Sequence, residues 1–203
     1  MTPAHSCRVL AALSLVWLLG PALALAHVGQ GDIQGGFIAG LEHPIFGLDH
    51  VIAMVAVGMW GAQLGAPAIW LLPVTFPVVM AFGGVLGAMG LPIPGIEIGI
   101  AVSAIVLGGL VAFAARPPLW IAAVVVGVFA IFHGHAHGAE LPESANAISY
   151  SAGFVIATGS LHALGILIGV ANRWRLGARF LRAGGALIAL GGLYFLVRHF
   201  IGG

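Results

Sequence analysis

Two short stretches hold most of the side chains in this sequence that can do chemistry. The first is Glu42-His43-Pro44-Ile45-Phe46-Gly47-Leu48-Asp49-His50, followed by Met54 and Gly58. His43, Asp49 and His50 offer two imidazoles and a carboxylate within eight residues. Imidazole binds nickel, cobalt, copper and zinc well, and a carboxylate offsets the charge of a divalent ion. Pro44 and Gly47 are expected to loosen or break a helix here and free backbone carbonyls. Were the helix regular, His43 and His50 would share a face, with Met54 one turn further on.

The second stretch is Phe132-His133-Gly134-His135-Ala136-His137-Gly138-Ala139-Glu140. His133, His137 and Glu140 stand at i, i+4 and i+7, so a helix projects them from one face. Two imidazoles and a carboxylate at a helix end are the inventory of a divalent-metal site. His135 points away on an ideal helix and reads as a peripheral ligand or a solvated residue. The His pair has the spacing of H-E-x-x-H metalloproteases, but the Glu that acts there as general base is missing.

Single residues add less. Glu97 either completes a site or makes a structural hydrogen bond. His162 lies deeper in the apolar sequence, where a satisfied core histidine is the simpler reading and an inner relay the sharper one. Glu42 belongs to the same acidic neighbourhood as Asp49. His199 reads as interfacial. Pro73 and Pro77 flank Phe76 and should kink their helix.

The elements that must position these residues are set by composition. Of 203 residues, 61% are hydrophobic and 6% charged, with a mean hydropathy of +1.12. A soluble domain averages about 25% charged residues, so the solvent for most of this chain is a lipid bilayer. Nine His outnumber the seven Arg and the six acids, and the net charge of +1 leaves no basic stripe for nucleic acid.

Residues 1–26 read as a secretory signal peptide: Arg8, an apolar run to Leu19, Gly20-Pro21, then Ala24-Leu25-Ala26 as cleavage pattern. Cleavage removes the only cysteine, Cys7, and with it any disulfide or thiolate ligand. It also makes His27 the N-terminus, where the α-amino group and imidazole can chelate together. Residues 27–203 then form one all-α, polytopic membrane helix bundle of six transmembrane helices, over roughly 35–64, 67–90, 94–115, 118–137, 145–171 and 177–200. Gly83-x-x-x-Gly87 and Gly165-x-x-x-Gly169 suit close helix approach.

A cleaved signal puts the mature N-terminus outside. Arg116, Arg173, Arg175, Arg179 and Arg182 then fall inside and only Arg198 outside, as the positive-inside rule expects. The acids Asp32, Glu42, Asp49, Glu97, Glu140 and Glu143 sort toward the outer half, where they would concentrate cations at an entrance. Asp49 and Glu97 lie at a depth where ionisable groups are costly and usually functional.

His43-Pro44-x-x-Gly47-x-Asp49-His50-x-x-x-Met54-x-x-Val57-Gly58, together with His133-Gly134-x-Ala136-His137-Gly138-x-Glu140, resembles the HupE/UreJ family of nickel and cobalt permeases. The resemblance covers the whole mature chain. It implies passive or facilitated nickel uptake across a bacterial inner membrane, supplying hydrogenase or urease maturation indirectly. It also implies functional weight on His43, Asp49, His50, Glu97, His137 and Glu140, with Phe76 as a pathway residue.

The favoured function is therefore secondary uptake of a divalent transition metal, Ni2+ or Co2+, with Zn2+ not distinguished. The metal is the transported ion, and no permanently bound cofactor is expected. No Walker A pattern is present, and uptake should depend on pH because only neutral imidazole ligates. Whether the chain forms a homo-oligomer stays open. Two rivals remain at this point. One is an intramembrane metal-dependent hydrolase, with Asp49, Glu97 or Glu140 as base. The other is a b-type haem protein ligated by His50 and His162.

Overall fold

A computed structural model of the chain describes residues 33–141 and 146–202. The expected signal peptide, His27, Asp32 and Glu143 lie outside the described residues. Within them the chain is all-helical: α1 (Ile33–Phe46), α2 (Leu48–Leu64), α3 (Ala68–Ala88), α4 (Ile96–Ala112), α5 (Leu119–Ala139), α6 (Ala147–Gly169), a short 3-10 turn (Val170–Arg173) and α7 (Arg175–Ile201). Helix is the outcome this composition requires, because in hydrocarbon the backbone must satisfy its own polar groups.

The helices α3, α5, α6 with its adjoining turn, and α7 are each long and apolar enough to cross a membrane. Together α1 and α2 meet the same criterion, but they bend by 80° at Gly47. The cause is local. Pro44 lacks the N–H that would reach the Gly40 carbonyl, and Gly47 is extended at φ −81, ψ 96. The break expected from Pro44 and Gly47 is therefore present, and it removes the regular-helix register of His43 over His50. The apolar α4 has 17 residues, a rise of about 25 Å at 1.5 Å per residue. The six apolar segments thus become four full-length helices, a bent pair and a short helix.

The outer surface is apolar, unlike that of a soluble protein, and the largely apolar core also takes in polar side chains. Trp70, Phe82, Phe113, Trp120, Leu167 and Phe180 face outward, while His133, His162, Ser103 and Thr158 are buried. The central element is α2, which packs against α1, α3, α4, α6 and α7. Glycines set the spacing of the bundle, as both small-x-x-x-small patterns led one to expect. Gly83 and Gly87 lie on the α5 backbone, and Gly165 and Gly169 on that of α2.

The most consequential close approach concerns α5. A Cβ on Gly134 would strike the Met80 carbonyl, and one on Gly138 the Gly84 carbonyl. This seam fixes α5 against α3 and so sets where His133 and His137 sit. At the far end of the bundle, Trp60 Nε1, Gln63 Nε2 and Arg182 Nε donate to the Ala115, Val111 and Ala112 carbonyls at 3.0, 3.1 and 2.7 Å. These bonds tie α2 and α7 to the carbonyls at the end of α4, where helical donors run out, although the Val111 carbonyl also accepts from the Ala114 N–H at 3.1 Å.

Candidate metal centre

The break at Gly47 turns α1 away from α2, and the space it opens is a cavity of about 540 Å³. Glu42, His43, Asp49, His50, Glu97, His137 and Glu140 all line it. Four of the six acids, Glu42, Asp49, Glu97 and Glu140, drawn from α1, α2, α4 and the end of α5, thus line one cavity. Clustered carboxylates around a concave mouth raise the local concentration of cations.

At the mouth, His43 Nε2 donates to the Glu140 Oε2 carboxylate at 2.9 Å. Both side chains remain accessible, at 34% and 55%. One ligand atom from each of His43, His137 and Glu140 falls within 4.8 Å of the others. A divalent cation can take the place of that N–H between His43 and Glu140 once the ring's remaining proton sits on Nδ1, which leaves Nε2 a lone pair for the metal. The two sequence stretches, 97 residues apart at His43 and Glu140, therefore build a single site.

Behind that trio the imidazoles continue inward. The His43 and His137 ring centroids are 4.8 Å apart, those of His137 and His50 4.4 Å, and those of His50 and His133 4.7 Å. Phe76 follows, 5.5 Å from His133 and 5.3 Å from His162. The buried His137 leaves both ring nitrogens without a hydrogen bond.

The tautomers of the next two rings follow from their partners. His50 Nδ1 and the His50 backbone N–H both meet Asp49 Oδ1 at 2.9 Å. A carboxylate only accepts, so Nδ1 carries a proton, and in the neutral ring Nε2, buried and unpartnered, keeps a bare lone pair. Ser103 Oγ donates its one proton to the Ile100 carbonyl at 2.6 Å, so it must accept from His133 Nε2–H at 2.8 Å. His133 Nδ1 is then the bare nitrogen, again buried and unpartnered. Two neighbouring imidazoles are held with open lone pairs by groups behind them, as the outer partners of metal ligands do.

The remaining expectations separate. His133, His137 and Glu140 do share the inward side of α5, yet His133 sits deeper, against Ser103 and His50, and is not one of the mouth trio. Glu97 lines the cavity without joining that trio, and it also lines a second cavity of about 330 Å³ with Asp49, Arg198 and His199. His135 is not solvated, and its Nδ1 is left without a hydrogen-bond partner. It is buried, and its Nε2 donates to the Leu91 carbonyl at 2.6 Å, which fastens α5 to the loop after α3. His162 is buried but not satisfied, since neither ring nitrogen makes a hydrogen bond.

Sequence reasoning missed Ser103 and the Arg198–Glu97 neighbourhood. A serine in an apolar helix gives no signal of its own, because its value lies in which histidine another helix brings to it.

The family model described as "HupE / UreJ protein" matches residues 15–195 of the chain. The chain is also 48% identical over 188 residues to Protein HupE of Rhizobium leguminosarum bv. viciae, covering 93% of this chain and 95% of that relative. No solved structure matches.

Proposed function

From the premise that the chain belongs to the HupE/UreJ family of nickel and cobalt permeases, and so is a multi-pass membrane transporter rather than an enzyme, we propose that it carries Ni2+ or Co2+ inward through the histidine series beneath its acidic cavity. The observation that carries this reading is the convergence of His43, His137 and Glu140 at the cavity wall. Carboxylates at the mouth gather the hydrated ion, and imidazoles replace part of its water shell one after another. A permeation path needs several moderate sites in place of one tight one. His43, His137, His50 and His133 are spaced to hand an ion along in that manner. Asp49 and Ser103 keep the receiving nitrogens unprotonated.

In this reading α1 and α2 form one broken span and α4 a short one, completing six. The cavity faces the outside of the bacterial inner membrane, and residues 1–26 serve as a cleaved signal. Irregular backbone at membrane depth is tolerated where it borders a water-filled cavity, and in this reading the cavity that Gly47 lines is one. Arg116, Arg173, Arg175, Arg179 and Arg182 fall at the opposite end, supporting that orientation. The membrane potential, worth roughly 2.3 kcal/mol per charge per 100 mV, draws a divalent cation inward without an ATPase.

Radioactive nickel accumulation at sub-micromolar metal tests the proposal, in cells expressing the wild type, Asp49→Ala or His137→Ala at matched membrane levels. Wild-type accumulation that either substitution reduces at least tenfold is the expected result. Accumulation no greater than that of empty cells, with folded protein in the membrane, rejects nickel uptake. Parallel cobalt and zinc assays then rank the ions.

A further inference from the structure

The imidazole series does not end at His133. Beyond the fully buried Phe76 lies His162, 1% exposed, with both ring nitrogens unpartnered. One helical turn earlier on α6 is Thr158, fully buried, and an i, i+4 pair presents both side chains on one face. A helical threonine ordinarily bonds back to the carbonyl a turn before it, but Thr158 Oγ1 has no partner at all. The third group comes from α3. Pro77 has no N–H, so the Pro73 carbonyl lacks its helical donor. That carbonyl lies within reach of the His162 ring, without the alignment of a formed hydrogen bond. One deep position thus gathers an imidazole, a hydroxyl and a carbonyl, each with unused donor atoms, although buried polar groups are nearly always paired.

We propose that His162, Thr158 and the Pro73 carbonyl form a second, inner station for the transported divalent cation, divided by Phe76 from the outer His43–His133 series. The proposal rests on the transport reading and adds to it a place and a donor set. All three donors are neutral, whereas the outer site has carboxylates. The inner station therefore binds more weakly, which suits a step just before release. Phe76 touches the rings on both sides, so a shift of this one side chain connects or separates the two stations. Pro77, one residue beyond Phe76 in a continuous helix, leaves the Pro73 carbonyl without its helical donor.

The full chain in lipid nanodiscs and proteoliposomes, probed with nickel chloride, provides the test. Equilibrium dialysis of the wild type should find a tighter and a weaker nickel site. Thr158→Val, which keeps the side-chain volume, and His162→Gln should each lose the weaker site and keep the tighter one. Retained outer binding reports that these variants are folded. Potential-driven initial uptake should fall about tenfold in both, as for loss of a partner at a metal site. Half-saturation should stay within about twofold, because the outer site is intact. Thr158→Ser restores the hydroxyl and should restore the rate. Two results overturn the inner station while leaving nickel transport standing: uptake by both variants at the wild-type rate, or a wild type that transports but binds only one nickel. A wild type that neither binds nor transports nickel overturns the transport reading and the station together.

Discussion

At the scale of single residues, the protein's chemistry depends on which nitrogen of each imidazole carries the proton. Asp49 fixes this for His50 and Ser103 for His133, leaving each with one open lone pair toward the interior. If that is the work of Ser103, Ser103→Ala frees His133 to rotate and change tautomer. We expect nickel uptake to drop about tenfold, the lower end of what loss of a metal ligand's outer partner costs. Ser103→Thr, which retains the hydroxyl, should keep most of it. Equal uptake by Ser103→Ala and wild type at matched membrane levels would falsify the positioning role. The ligand types and the spacing of His133, His137 and Glu140 are readable without coordinates, because a helix has a fixed period. The partnership of His135 with Leu91 is not, since it joins a helix to a loop 44 residues away.

At the scale of elements, helix-to-helix distance is set by glycine and helix direction by proline. Gly134 and Gly138 let α5 rest on the α3 backbone, while His137 of the same helix lines the cavity and His133 lies deeper, beside His50 and Ser103. Gly138→Val would drive side-chain atoms into the Gly84 carbonyl. Overpacking of this kind typically costs 1–3 kcal/mol or more. The expected outcome is a lower melting temperature for the detergent-purified protein, measured by intrinsic tryptophan fluorescence. Nickel binding should fall too, because the same displacement moves His137. A variant with unchanged melting would mean that α3 and α5 pack less closely than described. The apolar segments themselves were visible in the sequence. The 80° bend within the first of them was foreshadowed by Pro44 and Gly47, but its angle depends on what α1 packs against. That partner is α6, where Gly40 meets Tyr150 and Gly153 meets Phe37.

At the scale of the whole molecule, the protein is apolar outside, buries a set of histidines within a largely apolar core, is open at the acidic end and is fastened at the other by Trp60, Gln63 and Arg182. If the cavity faces outward, Ala39→Cys on its wall should react with a membrane-impermeant thiol reagent added to intact cells. Nickel should slow that reaction by occupying the same cavity. Labelling seen only in inside-out vesicles would reverse the orientation. The sequence by itself determined the solvent and the candidate ligands: too few charges for water, too many histidines for a plain bundle, and two stretches with metal-binding spacing. These are properties of composition and local period, which survive without a fold. Only the tertiary structure decided which ligands meet. His43 joins Glu140, Ser103 joins His133, and Phe76 stands between His133 and His162. Such pairings come from helices that are distant in sequence and are brought together by glycine seams and one broken helix, which no local period encodes.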